Sequence, residues 1–108
     1  MENREFIVCS ANYYVDGLTH PHQPINISHG FVVCGLRHHN CINTFAQIYG
    51  FPYSEETLKI KRTEEQGFLT NTNKFVNREY ALEIAIKANQ LKDGNNHNLK
   101  KLHSEDLW

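Results

Sequence analysis

The chain has 108 residues, 40% of them hydrophobic, with six phenylalanines, five tyrosines and one tryptophan, enough for a single domain with one modest core. Eleven basic residues against twelve acidic ones leave a formal net charge of −1, which speaks against a protein that coats DNA or RNA. Cys9, Cys34 and Cys41 form no Cys-x-x-Cys pair, no basic leader precedes an apolar run, and no stretch reaches membrane-spanning length, so reduced thiols, a cytoplasmic location and no membrane partner are expected.

Residues 5–15 are rich in β-branched and aromatic side chains and predict a first strand. Asp16-Gly17 turns the chain, and residues 16–29, with two prolines and His20, His22 and His29, predict an ordered binding loop. A second strand over 30–36 feeds a helix over 39–49, in which Ile42, Phe45, Ile48 and Tyr49 are spaced to face a core. Gly50 ends that helix. Ser54-Glu55-Glu56-Thr57 has the pattern of a short helix start, and Lys59 to Glu65 that of an exposed connector or edge strand.

Residues 66–76 predict a hairpin, with Phe68-Leu69 and Phe75-Val76 flanking an Asn/Thr turn. Asn77 then caps a helix over 78–91. Its stripe of Ala81, Ile84, Ala85 and Ala88 is flanked by Leu82, Ile86 and Tyr80, which predicts burial against the core on one side and a second protomer on another. Asp93-Gly94-Asn95-Asn96 breaks the chain, and a C-terminal tail over 97–108 ends in Trp108, whose indole is expected to dock. The sum is an α+β domain, a small antiparallel sheet with two main helices, in a homo-oligomer that relieves the large exposed surface of so small a chain.

The densest chemistry is Arg37-His38-His39-Asn40, between the second strand and its helix. Unpaired N–H groups and the helix dipole favour an anion at such a junction, and an arginine with two histidines suits phosphate. Capping or surface residues are the bland alternative. Arg78 opens the last helix, where the dipole disfavours a cation unless an anion or acidic partner is near. Phe68, Phe75, Tyr13 and Tyr14 offer stacking surfaces, and Thr70, Thr72, Asn71, Asn73 and Asn77 could read polar edges.

Other chemistries fit less well. His20, His22, His38, His39 and Cys41 match no standard zinc spacing, so no metal is expected. Cys34 and Cys41 lie in apolar contexts suited to small core residues. Glycine-rich phosphate loops and the serine-nucleophile motif are absent. The histidines could still act as a general acid/base pair on a phosphodiester, and sequence does not separate cutting from holding.

Four blocks carry a resemblance: His-Gln-Pro-x-Asn-Ile at 22–27, Gly-Phe-Val-Val-Cys-Gly-x-Arg-His-His-Asn-Cys at 30–41, Gln-Gly-Phe-Leu-Thr at 66–70 and Phe-Val-Asn-Arg-Glu-x-Ala at 75–81. With the closing Ser-Glu-Asp-Leu-Trp at 104–108, they make the chain similar to a group of short phage-encoded proteins. It resembles in particular the first-described family of phage inhibitors of Thoeris, a bacterial defence system. The resemblance implies a sponge acting in the cytoplasm of the infected bacterial host. Such a sponge sequesters cyclic ADP-ribose isomers such as glyco-cyclic ADP-ribose, and in some members cyclic oligonucleotides, without degrading them.

It also implies an α+β fold, ligand bound between protomers of a dimer or higher assembly up to a hexamer, no enzyme activity and no cofactor. Arg37 and Arg78 would then face phosphate, with Phe68 or Phe75 as the base platform; His38, His39, Asn40 and Thr70 join them as candidate binding residues on their chemistry alone. The C-terminal part lacks an obvious pair of arginines, so the pocket does not map residue by residue. The alternatives are a metal-independent phosphodiesterase and a protein-binding inhibitor of a host defence enzyme.

Overall fold

Alternating apolar side chains in three segments, and a short fourth, build one antiparallel sheet. The computed structural model describes residues 4–94 and 99–108. Strands β1 (Ile7–Tyr14), β2 (Phe31–Gly35), β3 (Glu65–Thr70) and β4 (Phe75–Asn77) lie in the order β2-β1-β3-β4, each antiparallel to its neighbour. Helices α1 (His38–Tyr49), α2 (Glu55–Lys61) and α3 (Arg78–Lys87) and a terminal 3-10 turn (Ser104–Asp106) complete it. This is the expected α+β class with an antiparallel sheet. The predicted break at Asn95-Asn96 and the first residues of the tail, 97 and 98, lie outside the described residues.

The period-2 alternation assigns the two faces of the sheet. Tyr14, Val33, Phe68 and Val76 point to the helices and divide between two apolar clusters. One joins Tyr14, Val33, Cys41 and Phe45, with Phe31, Tyr49, Tyr53 and Ile60 packed around them. Phe45 is fully buried, its ring stacked on Tyr14 at 4.3 Å and Tyr49 at 4.6 Å. The other cluster sets Ile7, Phe68 and Val76 against Ala81, Leu82, Ile84 and Ala85 of α3, and Leu91, Leu102 and Leu107 close it. Trp108 packs on this second cluster, so the terminal indole docks on its own chain.

Three readings of the sequence need correction. On α1 the buried positions are His38, Cys41 and Phe45, whereas Ile48 is 67% exposed. A polar and a sulfur side chain therefore take inner positions that hydrophobicity alone gave to Ile48. Lys59 to Glu65 is neither connector nor edge strand: its first part ends α2 and its last residue opens β3, an inner strand. Ser54 Oγ caps α2 by accepting from the Thr57 N–H, Glu55 and Glu56 sit at the positive end and Lys59 and Lys61 at the negative end. Finally, α3 ends at Lys87, short of the expected 91, and its Tyr80 and Ile86 are 52% and 38% exposed.

The opposite sheet face is crossed by residues 18–30. Near its start and end, Thr19 bridges Gly30, and the Gly30 N–H donates to the Leu18 carbonyl at 2.7 Å. Gln23 Oε1 accepts from the Val32 N–H of edge strand β2 at 2.8 Å. Asn26 grips edge strand β4 twice, accepting from the Phe75 N–H at 2.9 Å and donating to the Phe75 carbonyl at 2.6 Å. Pro24 is buried beneath the segment. The predicted binding loop is thus a strap that satisfies backbone groups on both sheet edges, the groups that would otherwise recruit foreign strands.

Candidate functional site

The β2–α1 junction is built as its residue order suggests, but its cations are already engaged. Arg37 is extended at φ −122° and ψ 160° and precedes the first helical residue; its N–H donates to Asn40 Oδ1 at 3.0 Å. The Arg37 guanidinium reaches across to the C-terminal tail. Nη2 donates to the Trp108 main-chain oxygen at 2.7 Å, and Nη1 to Ser104 Oγ at 3.2 Å and Glu105 Oε2 at 3.5 Å. The anion expected at this place is supplied by the chain's own tail. Asn40 is a helix-capping residue, and His39 is exposed beside it.

His38 points inward. Its Nε2 lies 2.8 Å from the Gly67 carbonyl oxygen and its Nδ1 3.4 Å from Arg78 Nη2, with the ring edge-on to Phe68 at 5.1 Å. A carbonyl can only accept and a guanidinium can only donate, so Nε2 carries the hydrogen and Nδ1 the lone pair. Arg78 Nη2 also donates to Gln66 Oε1, and Nη1 donates to the Leu102 carbonyl at 3.2 Å. The main-chain N–H of Leu102 answers by donating to the Arg78 carbonyl at 2.9 Å. Arg78 therefore ties β3, α1 and the tail together.

Burial lowers the His38 pKa below its ordinary 6.5; the Gly67 carbonyl pulls the other way, and the neighbouring Arg78 charge adds to the lowering. Because the folded value is the lower one, the unfolded chain binds the proton more readily. Stability from this residue is therefore intact above pH 6.5 and is lost as pH falls from there through the folded value. Urea midpoints recorded between about pH 7 and pH 5 should fall in the wild type, and by less in His38→Gln, which cannot take up a proton.

The stacking candidates are core residues. Phe68 is fully buried beneath His38, which removes it as a base platform on this chain. Phe75 is 7% exposed and lies on Tyr13 at 5.6 Å, on the strap side of the sheet. Its ring also fills the place where a side chain at Gly67 would stand, 2.7 Å from the Cβ such a residue would carry. Thr70 is buried in the hairpin turn, its Oγ1 2.9 Å from Thr72 Oγ1. The structure thus brings Arg37, His38, Phe68 and Arg78 to one seam, places Thr70 and Phe75 elsewhere, and leaves His39 and Asn40 outside at the helix start.

A cleft lies instead in the strap. Thr19, His20, His22, Pro24, Ile25 and His29 are among the residues that line about 160 Å³ of half-open space. His20 is oriented from behind: its Nε2 lies 2.7 Å from the largely buried Asp16 carboxylate, and its ring meets Phe31 edge-on at 5.7 Å. Burial alone would raise the Asp16 pKa, but the Leu18 N–H and His20 outweigh it and leave the carboxyl below its usual value. His22 has φ 63°, a left-handed conformation uncommon outside glycine. His29 Nδ1 lies 2.7 Å from Ser28 Oγ. A second cleft of about 140 Å³ adjoins it at His22, Gln23 and Pro24 and runs along Val32, Cys34 and Leu69.

The segment was legible as an ordered loop, but the convergence of its histidines was not. Alternation of histidine and proline signals an ordered loop without showing that side chains nine residues apart meet in one cleft. Among the described residues, no three His, Cys, Asp or Glu side chains are grouped to hold a metal ion, and no helix is long and apolar enough to cross a membrane.

These features define a small α+β protein whose helix-free sheet face is closed by a histidine-bearing strap. The chain belongs to the phage T4 y16D protein family, which matches residues 6–108. The expected phage origin is therefore borne out. No curated protein and no solved structure shows a significant match to it.

Proposed function

We propose that this phage protein binds and sequesters a small cyclic nucleotide signal of host defence, a cyclic ADP-ribose isomer or a related cyclic oligonucleotide, without converting it. The observation that carries this reading is the convergence of His20, His22 and His29 on one cleft, with His22 held in a left-handed conformation. Backbone strain of that kind costs about 1–3 kcal/mol and tends to gather at ligand-clamping positions. The three imidazoles, with hydroxyl groups from Thr19 and Ser28 and the amide of Gln23, suit ribose and phosphate oxygens. The resemblance to anti-Thoeris sponges supports the ligand class, and the phage family supports the setting.

The strap cleft lies apart from Arg37 and Arg78. Arg37 and Arg78 hold the tail and are reassigned from phosphate contact to construction of the fold. About 160 Å³ is too little to enclose a nucleotide, since pockets for molecules of that size span roughly 300–1,000 Å³. A second protomer supplying the other wall is part of the proposal. Ile25, which lines the cleft and is 69% exposed, and nearby Leu18, 60% exposed, offer the apolar rim that such a contact would bury.

The Asp16–His20 pair favours one rival, a metal-independent phosphodiesterase in which Asp16 orients His20 as a general base. The double variant His22→Ala/His29→Ala separates the readings, because both residues are exposed and their loss should leave the melting temperature unchanged. For a sponge, retention of cyclic ADP-ribose isomers in equilibrium dialysis falls about tenfold or more, on the order of 1.4 kcal/mol or above. Disappearance of a hydrolysis product in the variant would favour the phosphodiesterase. Unchanged retention would remove the cleft from the account.

A further inference from the structure

The two clefts of the strap share a wall but differ in chemistry. His22, Gln23 and Pro24 border both. The first is rimmed by imidazoles and hydroxyls, whereas the second, of about 140 Å³, is walled by Pro24, Val32 and Leu69, with Asn73 at its border. Pro24 is buried and Val32 and Leu69 are half-buried, so these walls are apolar and fixed. An apolar wall carrying a few placed polar groups is the usual make-up of a small-molecule pocket.

Asn73 is held by its main chain. Its N–H donates to the Thr70 carbonyl at 3.0 Å, its carbonyl accepts from the Ile25 N–H of the strap at 2.8 Å, and its φ is 61°. Asparagine is a common occupant of such a turn, so the turn alone explains the residue type. What the turn leaves over is the side chain, which is exposed and engages no other described residue. Gln23 Oε1 is taken by the Val32 N–H at 2.8 Å, which leaves its Nε2 as a further donor beside the cleft.

Resting on the nucleotide reading above, we propose that the second cleft is the base subsite and that Asn73 selects adenine. The Asn73 amide offers one acceptor and one donor group side by side. Adenine offers the reverse, so its N6 amino group donates to Oδ1 while its N7 accepts from Nδ2. Guanine presents two acceptors at that edge, O6 and N7, and Oδ1 then meets O6 with no hydrogen between them. Ribose and phosphate lie past His22, among the imidazoles of the first cleft. Taken together, the two clefts reach the lower end of the roughly 300–1,000 Å³ that such ligands occupy.

Cys34, exposed in the wall of the second cleft, reports its occupancy. The test is alkylation of Cys34 by N-ethylmaleimide in the full chain, followed by peptide mass, with adenosine monophosphate, guanosine monophosphate or ribose 5-phosphate added. Adenosine monophosphate should slow the reaction several-fold. Guanosine monophosphate should need a concentration about tenfold higher for the same effect, and ribose 5-phosphate should give none. Asn73→Gly keeps the positive φ, so without nucleotide it should react at the wild-type rate, yet it should respond to the adenine nucleotide no better than to the guanine one. Equal protection by adenosine monophosphate and ribose 5-phosphate, no protection by either, or an undiminished adenine preference in Asn73→Gly would overturn the base subsite. If wild-type chain still retains cyclic ADP-ribose in any of those cases, the nucleotide reading stands without it. Protection by adenosine monophosphate without retention of cyclic ADP-ribose would keep the adenine subsite and overturn the sequestered signal.

Discussion

Replacing Arg78 by alanine is expected to lower the unfolding free energy by about 3 kcal/mol, read as a shift of the urea midpoint at pH 7. Hydrogen bonds to charged groups are worth roughly 1.5–3 kcal/mol each when buried, and Arg78 is only half-buried, so its contacts are discounted rather than summed. Removing the guanidinium leaves Gln66 Oε1 and the Leu102 carbonyl without their donor, and the tail loses one of its side-chain anchors. Arg78→Lys should recover little, because one ammonium lacks the fork that reaches Gln66, Leu102 and His38 together. Arg37→Ala should cost less, about 1 kcal/mol, since one of its partners, Glu105, is largely exposed. If Arg78 were held in readiness for a ligand rather than for the tail, its removal would leave stability nearly unchanged.

The second large effect is expected at Phe45. Phe45→Ala should cost about 3–5 kcal/mol in the same measurement. The ring is fully buried, stacks on Tyr14 and Tyr49 and meets Tyr53 edge-on at 5.6 Å, so truncation leaves a hole that the inner strand β1 cannot collapse to fill. The damage should spread in a defined direction. Phe31 stacks on the same group at 5.5 Å from Tyr14, and His20 of the strap rests edge-on against Phe31. A loosened Phe31 therefore loosens the wall of the cleft, and the variant should lose ligand retention as well as stability. Ile48→Ala, on the exposed side of the same helix, should change stability by less than about 0.5 kcal/mol.

The contrast between Phe45 and Ile48 shows what the sequence could and could not reveal. Hydrophobic spacing located the helix, and Gly50 with φ 80° marked its end, but residues one turn apart could not be ranked by depth without knowing where the sheet lies. Asn77 was legible as a cap because its side chain acts locally, accepting from the Tyr80 N–H three residues on. The β2–α1 junction was legible as an anion-seeking place for equally local reasons. Its occupant was not, because Arg37 meets Trp108 across 71 residues of sequence, and no local pattern encodes that return. Helix α2 was half-seen: Ser54 and its acidic neighbours announced a start, but alternating charge masked the continuation through Lys61. The strap was recognised by composition alone, and the meeting of His20, His22 and His29 depends on a backbone path that prolines permit but do not specify.

A sponge retains its nucleotide signal without turning it over. The measurement that tests this most directly is to incubate the purified chain with cyclic ADP-ribose isomers and cyclic oligonucleotides, remove unbound material, denature the protein, and identify what is released by chromatography and mass. A sponge for a scarce signal needs a dissociation constant near nanomolar, about −12 kcal/mol, so the bound molecule should survive the washing step. Intact ligand recovered in near-stoichiometric amount is the predicted result. Recovery of a converted product, or of nothing from any of these molecules, would contradict it.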